Sequence, residues 1–191
     1  MAAGAGHAAA QSSVTLYWVL DEFVGYQSAK VGGKSTSLYV LGNNGELTSR
    51  WGLRGTEDLG GGYKTTFALE NGFDPGTGKE QNSYCFFDRE AWVGVSAPYG
   101  EVRFGRQNTP MFAMSGNLDA FSAATYGSGY NNFANWLARV DNDISYLSPK
   151  LANTQLELHY SVGGEPGTLA GNALKPRYKP HKGRSTLRWP T

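Results

Sequence analysis

Residues 49–73, SRWGLRGTEDLGGGYKTTFALENGF, constrain the fold more than any other stretch, because apolar side chains alternate with charged or small ones on both sides of a glycine-rich turn. On the first arm Trp51 and Leu53 alternate with Arg50, Gly52 and Arg54. On the second, Tyr63, Thr65, Phe67 and Leu69 alternate with Lys64, Thr66, Ala68 and Glu70. Successive strand side chains point to opposite faces, so a period of two marks a pair of strands, each with one apolar and one charged face. Residues 56–62, TEDLGGG, form the turn, with three glycines that accept positive φ. Two architectures satisfy this pattern. A soluble sandwich turns the apolar face to a core and the charged face to solvent; a transmembrane barrel turns the apolar face to lipid and the charged face to a water-filled lumen.

Composition narrows the class. A hydrophobic content of 40%, a charged content of 17% and 26 glycines fit an ordered, glycine-rich all-β protein. No apolar run has the length of a transmembrane helix, so a membrane location requires strands. The formal net charge of +1 conceals a break. Residues 175–191 hold six basic residues and no acid, leaving 11 basic against 16 acidic over residues 1–174. The single cysteine, Cys85, excludes an internal disulfide framework and reads as a packing residue within a strand.

Strand patterning recurs along the chain. Residues 14–26 alternate Val14, Leu16, Trp18 and Leu20 against Thr15, Tyr17, Val19 and Asp21. Residues 30–37 read as a polar loop, residues 38–41 as a short apolar run and residues 74–83 as an exposed loop. Residues 84–96 are expected to be one strand with Arg89 facing inward and Trp92 outward, which sets Glu90 on the outer side. Further strands follow at 101–107, 139–147 and 155–160, with Pro149 in the turn before the last. About seven neighbouring strands result. Between them, residues 108–136 form a loop of about 29 residues, a length that is usually functional or disordered. Tyr17, Trp18, Trp51, Tyr63, Trp92 and Tyr146 sit near strand ends, where membrane interfaces collect aromatics and where a sandwich core would equally use them.

Several strings occur in one order at strand spacing: SSVTLY at 12–17, the central SRWGLRGTEDLGGG, FALENGF at 67–73, AWVGV at 91–95 and YGEVRFGRQ at 99–107. Together they resemble the trimeric general-diffusion porins of the Gram-negative outer membrane, over roughly residues 8–173. The resemblance implies an antiparallel up-and-down transmembrane β-barrel, here an incomplete barrel of about seven strands, with the loop at 108–136 as the third loop that folds inward and narrows the channel. By position, Arg50, Arg89 and Arg139 resemble the basic cluster of the constriction, and Asp119 resembles the acidic side opposite. Arg54, Lys64, Glu70 and Asp141 are expected to line the pore. The chain departs from the family pattern at Trp18, Glu22 and Phe23, and carries Val19 where many members have another basic residue. Lipid bilayer, lipopolysaccharide and a homotrimer are the implied partners, and the outer membrane the implied location.

The implied activity is passive diffusion of ions and small hydrophilic solutes. Opposed charges across a narrow channel orient dipolar solutes and bias permeation by ion sign. Two surplus positive charges about 5 Å from an ion in water contribute about 1.7 kcal/mol before screening, which predicts a modest anion preference. Catalysis finds no support: His7, His159 and His181 have no metal-ligand spacing, the LGGG at 59–62 lacks the completion of a phosphate-binding loop, and no nucleophile is paired with a base. No cofactor, metal or nucleic-acid partner is expected. Residues 1–10 resemble the cleavage end of a secretory signal without its apolar segment, and residues 174–191 read as an aberrant basic tail. From these ends the chain is expected to be a fragment that neither exports efficiently nor conducts alone. A soluble β-sandwich binding module with 108–136 as its recognition loop, and a basic-tailed nucleic-acid binder, are the alternatives.

Overall fold

The structure, a computed structural model, describes residues 12–121, 128–129 and 137–162. Ten strands and one helix follow in order: β1 (Ser13–Val19), β2 (Glu22–Val31), β3 (Lys34–Asn43), β4 (Arg50–Gly60), β5 (Tyr63–Asp74), β6 (Lys79–Glu80), β7 (Glu90–Ala97), β8 (Gly100–Asn108), α1 (Pro110–Leu118), β9 (Arg139–Leu147) and β10 (Glu157–Ser161). Seven of them pair antiparallel in the order β1-β4-β5-β7-β8-β9-β10, with β6 attached to β5. The expected number of neighbouring strands, about seven, is present, but the first of them, expected over 14–26, ends at Val19, and residues 22–26 pass into β2 of a separate hairpin. The sheet is open, with β1 and β10 at its edges.

Registers align the alternating residues into rows. On one face Leu16, Leu53, Leu69 and Ala91 lie opposite one another across four strands. On the other face the corresponding row is Tyr17, Gly52, Glu70 and Glu90, followed by Arg54, Ala68, Trp92 and Gly105. Burial is the reverse of that in a water-soluble sheet. Leu16 is 56% exposed, Val93 50% and Phe104 48%, and among the described residues Ala68, at 5%, is the one buried apolar side chain. Glu70, Gln107, Asp143 and Ser145 are buried instead. A sandwich would need a second sheet over the apolar face, and among the described residues the second sheet is only the β2–β3 hairpin.

That hairpin replaces the polar loop expected at 30–37. Pairing runs unbroken from Glu22↔Asn43 to Val31↔Lys34, so the connection shrinks to Gly32 and Gly33, both at positive φ. The chain leaves β1 at Asp21, whose carboxylate accepts the backbone N–H groups of Gly45, Glu46 and Leu47 at 3.0, 2.8 and 2.6 Å. Those bonds hold Asp21 below the usual carboxylate range, the Leu47 N–H contributing most.

Two other expectations are corrected. Residues 84–89 do not extend β7, which begins at Glu90, and Cys85 lies in the connecting segment, with its thiol 3.5 Å from the Phe87 carbonyl. The long connection after β8 carries a helix that strand counting does not anticipate. Thr109 caps α1, its hydroxyl accepting from the Phe112 N–H at 3.2 Å with Pro110 following, so the local start signal is the ordinary one. Most of the rest of that connection, the N-terminal segment at 1–10 and the basic tail lie outside the described residues. Among those described, no helix is long and apolar enough to cross a membrane, which has no bearing on strands.

Candidate functional site: the charged face of the sheet

Glu70 is the junction of this face. Its row places it between Gly52 of β4 and Glu90 of β7, and it is 8% exposed. One carboxylate oxygen accepts the Tyr17 hydroxyl at 2.8 Å and lies 3.5 Å from Arg50 Nε. The other pairs with Arg89 Nε. A buried carboxylate with two guanidinium partners and a phenol is well satisfied, and the arrangement ties all three partners to one point of the sheet. Tyr17 reaches Glu70 because Gly52 has no side chain: a Cβ there would stand 2.6 Å from the phenol oxygen.

Arg139, at the start of β9, lies within electrostatic reach of Arg89, Arg106, Asp88 and Glu70. Its guanidinium sits over the Phe112 ring of α1 at 5.1 Å, and its Nε is buried without a hydrogen-bond partner among the described residues. Arg106 joins the group through a register irregularity at Gly105/Gln107 with Gly105 at positive φ, donating to the Asp88 carbonyl at 2.8 Å and pairing with Asp141. Four arginines, Arg50, Arg89, Arg106 and Arg139, thus gather near one end of the face. Sequence reasoning misses Arg106 because alternation assigns it to the apolar row, where its register partner is Ala91, and its guanidinium is located by contacts to Asp88 and Asp141 that the sequence does not show.

The remaining expected residues are placed as follows. Arg54 is exposed on the charged face with its guanidinium 5.2 Å from the Tyr17 ring centroid. Lys64 lies on the same face opposite Ser96. Asp141 is exposed and held by Arg106. Asp119 ends α1, accepting the Phe121 N–H at 3.0 Å and the Ser128 hydroxyl at 2.5 Å.

Trp92 is a correction. Its register partners Ala68 and Gly105 set it on the charged face, together with Glu90. The outward assignment rests on counting alternation backward through Arg89, which is loop and approaches Glu70 from outside the strand ladder, its own N–H bonding the Glu70 carbonyl at 3.2 Å. Trp92 is stacked by Arg103 at 4.2 Å and donates to Glu90 at 3.0 Å. Arg103 in turn pairs with Glu101 at 2.8 Å and lies over Gly94. Farther along, His159 stands between Asp143, at 2.5 Å, and Glu157, at 2.7 Å. Its face is the charged one, opposite Ser145.

Aromatics frame the apolar face at both ends. At the end of the short turns Tyr63 and Tyr99 share a hydrogen bond of 2.6 Å, and the Tyr146 hydroxyl donates to the Tyr99 carbonyl at 2.8 Å. At the opposite end Trp18 and Trp51 are cross-strand partners, and Trp51 meets Phe86 and Phe87 edge-on at 6.3 and 6.4 Å. Tyr17, like Trp92, belongs to the charged face and not to these bands. Tyr63 and Phe73 bound β5 on the apolar side. The strand between them runs about 33 Å, or roughly 23 Å in height at a tilt of about 45°, close to the apolar band of an outer-membrane barrel.

An antiparallel sheet with lipid-compatible aliphatics outside, aromatic bands at both edges and a network of paired charges inside is the wall of a transmembrane β-barrel. Similarity to known proteins identifies which. A family model described as Gram-negative porin matches residues 1–183. The chain is 40% identical over 169 residues to outer membrane porin protein 32 of Delftia acidovorans, covering 83% of this chain and 46% of that protein. It is 36% identical over 177 residues to an outer membrane porin protein of Bordetella pertussis, covering 84% and 46%. Among solved structures, an anion-selective porin from Comamonas acidovorans matches with a TM-score of 0.67 at 38% identity, over 80% of this chain and 47% of that one. A loop-deletion form of OmpT from Vibrio cholerae matches in fold alone, with a TM-score of 0.56 at 16% identity. The chain belongs to the Gram-negative porin family, and the outer membrane is its location. It spans about half the length of the curated relatives it matches.

Proposed function

We propose that this chain forms part of the wall and constriction of a water-filled pore through which ions and small hydrophilic solutes diffuse passively, with a modest anion preference and no catalytic step. The observation that carries this reading is the reversal of burial: paired charges occupy one face of the seven-strand sheet while its aliphatic face stands exposed. The soluble-sandwich alternative fails on the same point. Arg50, Arg54, Arg89, Arg106 and Arg139 against Glu70, Asp88, Glu90 and Asp141 leave one surplus positive charge, Arg103 and Glu101 cancelling each other. One charge about 5 Å from an ion in water is worth about 0.8 kcal/mol before screening, a preference of about twofold to fourfold. The similar Comamonas protein is named an anion-selective porin, which supports the same sign. Arg139 against Phe112 supports the connection after β8 as the element that narrows the channel. Bilayer lipid and lipopolysaccharide against the apolar face, and a homotrimer, are the assembly this reading entails.

Closure is required for conduction, since each unpaired backbone group left in lipid costs several kcal/mol. The refolded chain by itself is therefore expected to be silent in a planar bilayer. Residues 12–162 grafted in place of the equivalent half of the Delftia relative should give discrete conductance steps and a reversal potential of anionic sign. A cationic reversal potential from that graft would reject the proposed selectivity. Single-tryptophan forms of the chain in liposomes test the wall itself: brominated lipid should quench Trp51 and spare Trp92, and the opposite result would reject the assignment of faces.

A further inference from the structure

Resting on the pore-wall reading, we infer that the wall between Arg54 and Trp92 is a binding station for aromatic monocarboxylates. Register sets Arg54, Ala68 and Trp92 side by side on adjacent strands β4, β5 and β7. The small Ala68 side chain is the floor between two long walls, in a concavity of about 630 Å³ that Arg54, Ala68, Trp92, Glu90, Glu101 and Arg103 help to line.

The charges in this concavity are unequally committed. Arg50 is engaged by Glu70 at 3.5 Å and Arg103 by Glu101 at 2.8 Å. Arg54 is exposed, stacked on Tyr17 and, among the described residues, without a carboxylate at ion-pair distance. Its planar fork suits a carboxylate approaching from the lumen. Trp92 supplies the second contact. Held by Arg103 on its ring and by Glu90 at its Nε1, the indole is a fixed aromatic surface lining the concavity. An aromatic ring meeting it gains area and ring-to-ring contact that an aliphatic acid lacks. A carboxylate-bearing ring about 7 Å long fits within the roughly 9.6 Å that two strand spacings provide. Glu90 and Glu101 border the same concavity, so a second negative charge on the solute meets repulsion. The station therefore takes monoanions in preference to dianions.

Titration calorimetry on the full chain refolded in detergent micelles tests this, with benzoate, acetate and phthalate as probes. Benzoate is expected to saturate at one site per chain, about tenfold or more tighter than acetate or phthalate. Arg54→Gln should abolish that binding, Arg54→Lys should weaken it, and Trp92→Leu should reduce benzoate to the level of acetate, with strand content by circular dichroism unchanged. Equal binding of benzoate and acetate by the unaltered chain would mean charge attraction alone and overturn the inference, as would benzoate binding that survives Arg54→Gln. Quenching of Trp92 by brominated lipid would instead reject the pore-wall reading beneath it. Trp92 spared by the lipid, with no benzoate binding, rejects only the station.

Discussion

The two faces of the β1-β4-β5-β7-β8-β9-β10 sheet are built from the same strands and stabilised in opposite ways. Outside, Leu16, Leu53, Leu69, Val93 and Phe104 form a continuous apolar surface with few specific partners. Inside, almost every long side chain has a named partner: Tyr17, Arg50 and Arg89 on Glu70, Arg103 on Glu101 and Trp92, His159 on Asp143 and Glu157. The difference teaches where sequence tolerance lies. On the proposed pore-wall reading the outer face requires only that a residue be apolar, because lipid adapts to any shape; the inner face requires particular pairs, because an unpaired buried charge is costly.

Breaking the inner face at its junction gives the largest expected effect. Glu70→Ala leaves Arg50, Arg89 and the Tyr17 hydroxyl without their shared acceptor and should destabilise the folded state by about 3–5 kcal/mol, measured by urea unfolding in detergent; a loss below about 1 kcal/mol would show that solvent already satisfies the arginines. On the outer face, Val93→Arg places a cation near mid-membrane and should cost about 2–4 kcal/mol of insertion free energy, read from the midpoint of folding into liposomes. Arginine tolerated there without change would mean that this face does not meet lipid.

Two smaller effects lie at the margins of the sheet. Because Asp21 is held below its unfolded value, its contribution to stability is complete above about pH 4 and is lost as pH falls through the lowered folded value. The protection factors of the Gly45, Glu46 and Leu47 amides, each taken against the intrinsic exchange rate at that pH, should be unchanged from about pH 7 to pH 5 and fall below about pH 4 while those of sheet amides hold; protection persisting in Asp21→Ala would remove the carboxylate from that account. Tyr63→Phe deletes one side of the 2.6 Å bond to Tyr99. Both hydroxyls are exposed and water replaces the lost bond, so the loss expected in the same urea assay is the least of the four.

Strand number and the facing of β4 and β5 are legible because Arg50, Gly52 and Arg54 alternate with Trp51 and Leu53 without interruption. Legibility ends where the ladder does. Extending alternation into Arg89, a loop residue, misplaces Trp92, and Arg106 goes unseen because alternation pairs it with Ala91 of the apolar row while its guanidinium reaches Asp88 and Asp141. Pairing partners across strands, such as Tyr17 with Glu70 53 residues away, depend on register, and register between distant strands leaves no mark in local periodicity. The helix after β8 has a readable start at Thr109 and Pro110, but a glycine- and serine-rich continuation obscures it.

Gly52 and Gly94 carry a consequence for clearance. A Cβ at Gly52 would strike Tyr17, and one at Gly94 would stand 2.8 Å from Thr66 and 3.1 Å from Arg103. Each glycine is a recess in which a long polar side chain lies flush with the wall instead of projecting from it. The bore of such a pore is then set by how many recesses the wall contains as well as by how many strands surround it. Filling one would lift its occupant toward the axis and narrow the bore at that row without any change in strand number.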